Sequence, residues 1–201
     1  IWVDLATVIY FRSDMLLFKF ADVAKADVGA YGVAFRLIEA FLLLASPVGL
    51  LLFRRFRQNE VLMGRQALLK VVRLAAIASG FGMMIFLVSW PVADVLFRLV
   101  FGDGFALAGS LFRVLCLMLV FALANGVLGQ AVFALGLDRF YAWTATAAAF
   151  FNVAGNLLLM PDYGVWGAAW MTVATELVLA TGLLAALFGA WRIGRPAESA
   201  G

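Results

Sequence analysis

Six times along 201 residues the chain continues in apolar residues for about the length that crosses a bilayer. A hydrocarbon core of roughly 30 Å takes about 20 helical residues. Nothing in that core can hydrogen-bond a bare amide, so only α-helices and closed barrels cross it. Barrel strands would alternate polar and apolar over about ten residues, and these runs do not alternate. The fold class read from the sequence is therefore all-α, a polytopic membrane protein. With 66% hydrophobic and 13% charged residues and a mean hydropathy of +1.04, the composition lies far from the soluble averages of about 45–50% and about 25%.

The expected spans are 1–20, 29–53, 71–96, 107–135, 141–160 and 165–191. The first is the most polar, holding Asp4, Arg12, Asp14 and Lys19, and a polar linker, 21–27, follows it. The third ends at Trp90, Pro91 and Asp94, where an aromatic and a helix breaker mark an interface. Connections at 136–140 and 161–164 are short, which makes the last helices antiparallel neighbours. Segment 54–70 is rich in Arg and Gln, with Val61, Leu62, Leu68 and Leu69 at helical spacing. That pattern predicts an amphipathic helix lying in the cytoplasmic interface, within a single membrane domain covering 1–201.

Lys and Arg divide unequally between the two sets of connections. Arg54, Arg55, Arg57, Arg65, Lys70, Arg73, Arg139, Arg192 and Arg195 fall on one side, against Lys19, Lys25 and Arg98 on the other. The positive-inside rule then puts both ends of the chain in the cytoplasm. Ile1 opens inside an apolar run with no initiator Met and no charged region ahead of a cleavage site, so the chain reads as starting partway through a longer one.

Several classes are excluded by what the sequence lacks. With no His and only Cys116, it offers no disulfide framework, no Cys/His metal site and no histidine relay. Cys116 reads as a small packing residue. An isoelectric point near 9.4 would suit nucleic acid, but the basic residues gather at membrane borders and report topology. No sizeable soluble insert interrupts the spans, so an enzyme such as a polysaccharide polymerase or glycosyltransferase is not expected.

Charges at membrane depth are the candidate functional residues. A charge at the centre of a span costs about 2.5–3.5 kcal/mol on insertion scales and is kept where it faces protein or water. Arg36 and Glu39 share one helical face with Gly29, Gly32 and Leu43, a face expected to look into whatever the helices enclose. Arg12, Asp14, Arg113 and Glu176 join them, with Asn125, Gln130, Asn152 and Asn156 as the polar bundle interior. Two readings stand side by side. The charges pair across helices and hold the bundle, or the arginines line a cavity and grip an anionic head group, since guanidinium forks match phosphate oxygens.

Three stretches together resemble a known family: Tyr10-Phe11-Arg12-Ser13-Asp14-Met15-Leu16-Leu17; Val28-Gly29-Ala30-Tyr31-Gly32-Val33-Ala34-Phe35-Arg36-Leu37-Ile38-Glu39; and Asn152, Asn156, Pro161, Tyr163-Gly164 and Gly167-Ala168-Ala169, running on to Thr175-Glu176. In order and spacing they look like the polysaccharide (O-antigen, Wzx-type) flippases of the multidrug/oligosaccharidyl-lipid/polysaccharide exporter superfamily. The resemblance implies a two-bundle transporter of which this chain is the C-terminal six-helix bundle. It further implies a central cavity open to one side at a time and a location in the bacterial cytoplasmic membrane. The implied substrate is an undecaprenyl-diphosphate-linked oligosaccharide, moved between leaflets in lipopolysaccharide and polysaccharide biosynthesis. Arg12, Arg36 and Arg113 are then the expected substrate contacts, and Asp14, Glu39 and Glu176 the coupling or counter-charges. No cofactor or metal is expected beyond a coupling H+ or Na+. Expected partners are membrane lipids, an N-terminal bundle and other polysaccharide-assembly proteins, and no nucleic acid. A multidrug or organic-cation antiporter of the same superfamily is the alternative, and a non-transporting scaffold using 54–70 is another.

Overall fold

The computed structural model describes residues 14–58 and 65–193. Apart from short connections at 21–24, 102 and 135–137 they are helical: α1 (14–20), α2 (Lys25–Gln58), α3 (Arg65–Phe101), α4 (Ala106–Ala134) and α5 (Asp138–Ile193), with a single 3-10 turn, Asp103–Phe105, between α3 and α4. Among the described residues four helices, α2 to α5, are long and apolar enough to cross a membrane. The expected spans at 29–53, 71–96 and 107–135 fall inside or within a residue of α2, α3 and α4. Most of the expected first span, 1–20, lies outside the described residues.

At 56 residues α5 would reach about 84 Å if straight, at about 1.5 Å per residue. It breaks instead at Gly164 (φ 53°, ψ −132°), a backbone region open to glycine alone. The two limbs then fold back on each other. Asn152 Nδ2 donates to Thr175 Oγ1 at 3.1 Å, Gly155 sits under the Met171 side chain, and Gly167 faces the Leu159 carbonyl, where an added Cβ would lie at 3.0 Å. These pairs centre on residues 163–164, so α5 is an antiparallel hairpin whose limbs cover the expected fifth and sixth spans. Small residues at 155, 167, 168 and 169 are what allow the limbs to close up.

α4 is the hub. It packs on α3, α2 and α5, while those three barely touch one another. A helix apolar on every side belongs in the interior, and α4 carries no charge from Val114 to its end. Half of its spanning window is buried, against 11% for α2 and 17% for α3. On α3 a stripe of small buried residues, Ala75, Gly82, Ser89 and Ala93, runs down the face toward α4. α4 closes in a Schellman motif: Leu137 N–H donates to Val132 O at 3.1 Å and Gly136 N–H to Phe133 O at 3.0 Å, with Gly136 at φ 70°. That left-handed residue turns the chain sharply into α5.

Two apolar clusters mark the ends of the bundle. One joins Phe18, Tyr31, Phe35, Phe97, Leu111, Met160 and Val165, hence the starts of α2 and α4, the end of α3 and the α5 turn. The other joins Phe56, Val71, Ala75, Leu128, Val132, Leu183 and Leu187. Around this second end Arg54, Arg55, Arg57, Lys70, Arg73, Arg139 and Arg192 are all exposed. The division of charge seen in the sequence is thus a division between two ends of one body.

The described parts of segment 54–70 belong to the two long helices on either side of it. Its first part completes α2 through Gln58 and its last part opens α3 at Arg65, while 59–64 lie outside the described residues. The physical reason is that Arg54, Arg55 and Arg57 need not end a helix. Cations at a helix C-terminus are favoured by the macrodipole, and long side chains carry their charge out to water from a buried stem.

Candidate functional site: a buried polar layer beside a cavity

Between the two apolar clusters α1, α2, α4 and α5 contribute polar side chains to one connected layer. Asp14, at 3% exposure, accepts from Tyr31 Oη at 2.7 Å and from Asn156 Nδ2 at 2.6 Å. Thr172 Oγ1 stands 3.4 Å from the same carboxylate, but its single proton has a shorter acceptor, Ala168 O at 3.0 Å. The chain of bonds continues from Asn156 Nδ2 to Asn152 Oδ1 at 3.0 Å and from Asn152 to Thr175. Asn152 and Asn156, one turn apart on the first limb of α5, therefore act on the second limb and on α1 together.

Asn125 and Glu176 form the second half. Asn125 Nδ2 donates to the Glu176 carbonyl at 2.9 Å and to its carboxylate at 2.7 Å, tying α4 to the second limb of α5. Glu176 is 12 residues past the Gly164 turn, about 18 Å along the axis. That is close to half the depth of a bilayer core. Beside this pair lies a cavity of about 180 Å³ lined by Leu42, Asn125, Gln130, Tyr141, Thr175 and Glu176, among others, and opening at the exposed Gly126. Asn125 Oδ1 and Asn156 Oδ1 are buried without a hydrogen-bond donor among the described residues. Unpaired buried acceptors are costly, and here they make the interior rich in oxygen atoms able to receive a proton, an ammonium or a bare cation.

Of the residues singled out in the sequence, Asp14, Asn125, Asn152, Asn156 and Glu176 come together in this layer and Gln130 lines its cavity. Arg12 lies outside the described residues. Arg36 and Glu39 are exposed on the outer face of α2 with Gly29 and Leu43, so these helices do not enclose them. Helical spacing put these four and Gly32 on one face, Gly32 being half-buried beside Met15 of α1, and α4 packs against the other, through Ala34 and Ile38. Arg113 is absent from the layer as well. Its guanidinium pairs with Asp94 of α3 and stands 5.8 Å from the Trp90 ring centre.

Tyr31, Thr172, Thr175 and Asp94 were not legible as members of any site. The hydroxyls sit on apolar faces like ordinary packing residues. Thr172 lies one turn before Glu176 on the same side of α5, and Thr175 lies one turn past Thr172, the one pattern that could have raised them.

Comparison with family models, with curated proteins and with solved structures gave no match to this chain.

Proposed function

We propose that the chain is one bundle of an alternating-access transporter that flips a lipid-linked oligosaccharide across the bacterial cytoplasmic membrane. The observation that carries the reading is the buried polar layer itself. A carboxylate with three polar neighbours, two interlocked asparagines and an Asn–Glu pair are held at depth in helices otherwise built to face lipid. Ionisable groups in that position are expensive and mark a transport path or coupling site. In this reading Asp14 and Glu176 carry the coupling H+ or Na+. Arg36 and Glu39, exposed on α2, face a second bundle of the same two-bundle protein across a wet cleft, where Arg36 grips the diphosphate. Arg12 is a further contact from α1. The basic end lies in the cytoplasm, with both ends of the six-span bundle on that side.

The antiporter reading has one observation in its favour. The cavity beside Asn125 and Glu176 combines a carboxylate, an acceptor oxygen and the ring of Tyr141, which suits an organic cation.

The test is flipping of a fluorescent diphosphate-linked oligosaccharide lipid in proteoliposomes by the full protein, comparing wild type with Arg36→Ala. A contact made to a diphosphate by a guanidinium fork is worth about 1.5–3 kcal/mol, so the variant should flip at least about tenfold more slowly while folding normally. Wild-type export of an organic cation with no lipid flipping would move the assignment to the antiporter. Equal flipping by both proteins would remove Arg36 from the substrate path.

A further inference from the structure

The seam between α3 and α4 carries a second polar constellation, remote from the buried layer. On α3 the residues without formal charge run over 74–93, twenty residues or about 30 Å of helix, which matches the hydrocarbon thickness. Arg73 then stands at one membrane border and Asp94 at the other. The charge-free run of α4 opens at Val114, which sets Arg113 at the same border as Asp94. The two bond to each other there, with Trp90 at the depth where aromatic belts form. This is the end of the bundle opposite the basic one.

The pair is open to a ligand. The Asp94 side chain is 54% exposed and that of Arg113 21%, and Trp90 is 61% exposed. Asp94 engages Arg113 through Oδ2 and keeps Oδ1 for a donor. Arg113 has five N–H groups, of which the ion pair uses one; its Nε–H is buried with no acceptor among the described residues, which leaves the terminal N–H groups to meet a ligand. Below the pair an apolar stripe descends toward the membrane centre. Gly80, Met83, Leu87, Trp90 and Asp94 follow each other at three- and four-residue steps on one face, and all are exposed.

We infer that this seam is a binding site for a phospholipid with a zwitterionic phosphoethanolamine headgroup in the leaflet opposite the basic end. The phosphate meets Arg113. The ammonium donates to Asp94 and lies on the Trp90 ring, and an acyl chain follows Leu87 and Met83. A purely anionic headgroup would meet the Asp94 charge and a purely cationic one the Arg113 charge, whereas a headgroup bearing both signs matches both. A choline headgroup keeps the positive charge but has no N–H for Asp94. The site needs only that α3 and α4 cross a membrane, and it is independent of what the protein transports.

The test is retention of added lipid by the purified protein in detergent, read by native mass spectrometry. Wild type is titrated with diacyl phosphatidylethanolamine, phosphatidylglycerol and phosphatidylcholine, and separately with soluble glycerophosphoethanolamine. One phosphatidylethanolamine should be held about tenfold more tightly than the other two lipids, as expected for a lost charge-assisted contact. Asp94→Asn should abolish the preference, Asp94→Glu restore it, and Trp90→Leu weaken retention about threefold through the exposed ring alone. Equal retention of the three lipids by wild type, or an unchanged preference in a folded Asp94→Asn, overturns the proposal. Should Asp94→Asn fail to fold, undiminished retention of phosphatidylethanolamine by Trp90→Leu overturns it equally. Binding of glycerophosphoethanolamine as tight as that of the diacyl lipid would also overturn it, in favour of a soluble phosphoethanolamine ligand. Lipid flipping is not part of the readout, so a failed transport reading leaves this result intact.

Discussion

Replacing Gly82 by alanine adds one methyl group at the tightest contact between α3 and α4. The new Cβ would stand 2.6 Å from Leu119 O, 2.7 Å from Leu119 C and 2.8 Å from Val120 Cα. Ordinary contact begins at 3.4 Å, a shortfall of 0.8 Å against the nearest atom. Because all three atoms are backbone, no side chain can rotate away, and the two helices must part. Overpacking of this kind costs about 1–3 kcal/mol. Parting also stretches the neighbouring bond from Ser79 Oγ to Val120 O, now 2.8 Å and worth about 0.5–1.5 kcal/mol. A total loss of about 1.5–4.5 kcal/mol follows. Gly80, two residues earlier, has nothing within 4 Å, so Gly80→Ala should be neutral or gain up to about 1 kcal/mol of helix propensity. The assay is a detergent-denaturant titration of each variant, with alkylation of the buried Cys116 as a second probe of α3–α4 separation. If both alanines shift the transition by the same amount, close backbone approach is not what holds α3 to α4.

Tyr31→Phe removes the 2.7 Å donor from Asp14 and leaves a buried carboxylate with one partner fewer, at a cost of about 1–3 kcal/mol. The same titration checks it, and a loss under about 0.5 kcal/mol would mean that Tyr31 is packing alone. Gly164→Ala forces a side chain onto a backbone at φ 53°, ψ −132°, which should cost about 1–3 kcal/mol. That loss should appear as cysteine pairs across 152 and 175 cross-linking less completely in the variant, and full cross-linking with unchanged stability would refute it.

Much of the fold can be read from the chain because the bilayer restricts it so severely. Length and polarity suffice to find α4, whose expected 107–135 differs from Ala106–Ala134 by one residue at each end. They find α5 as two spans as well, because Pro161 and Gly164 interrupt its apolar run. The basic cluster did not end a helix, since Arg54 to Arg57 lie within α2, which runs on through Gln58. Sequence spacing also determined that Arg36 and Glu39 share a face, but not which face. That depends on which side of α2 meets α4, and the answer comes from Ala34 and Ile38 packing inward.

The sequence by itself determined that this protein is helical, has several stretches long and apolar enough to cross a membrane, and carries charged residues inside those stretches. Each of these is a local consequence of side-chain polarity against a fixed apolar thickness. The tertiary structure decided the partners. Asp14 meets Asn156 across 142 residues, Asn125 meets Glu176 across 51, and Arg113 meets Asp94 on another helix. No local periodicity encodes such pairings, because a polar side chain in an apolar helix can be satisfied by any complementary group that packing brings near. α4 at the centre of the bundle is what selects among them.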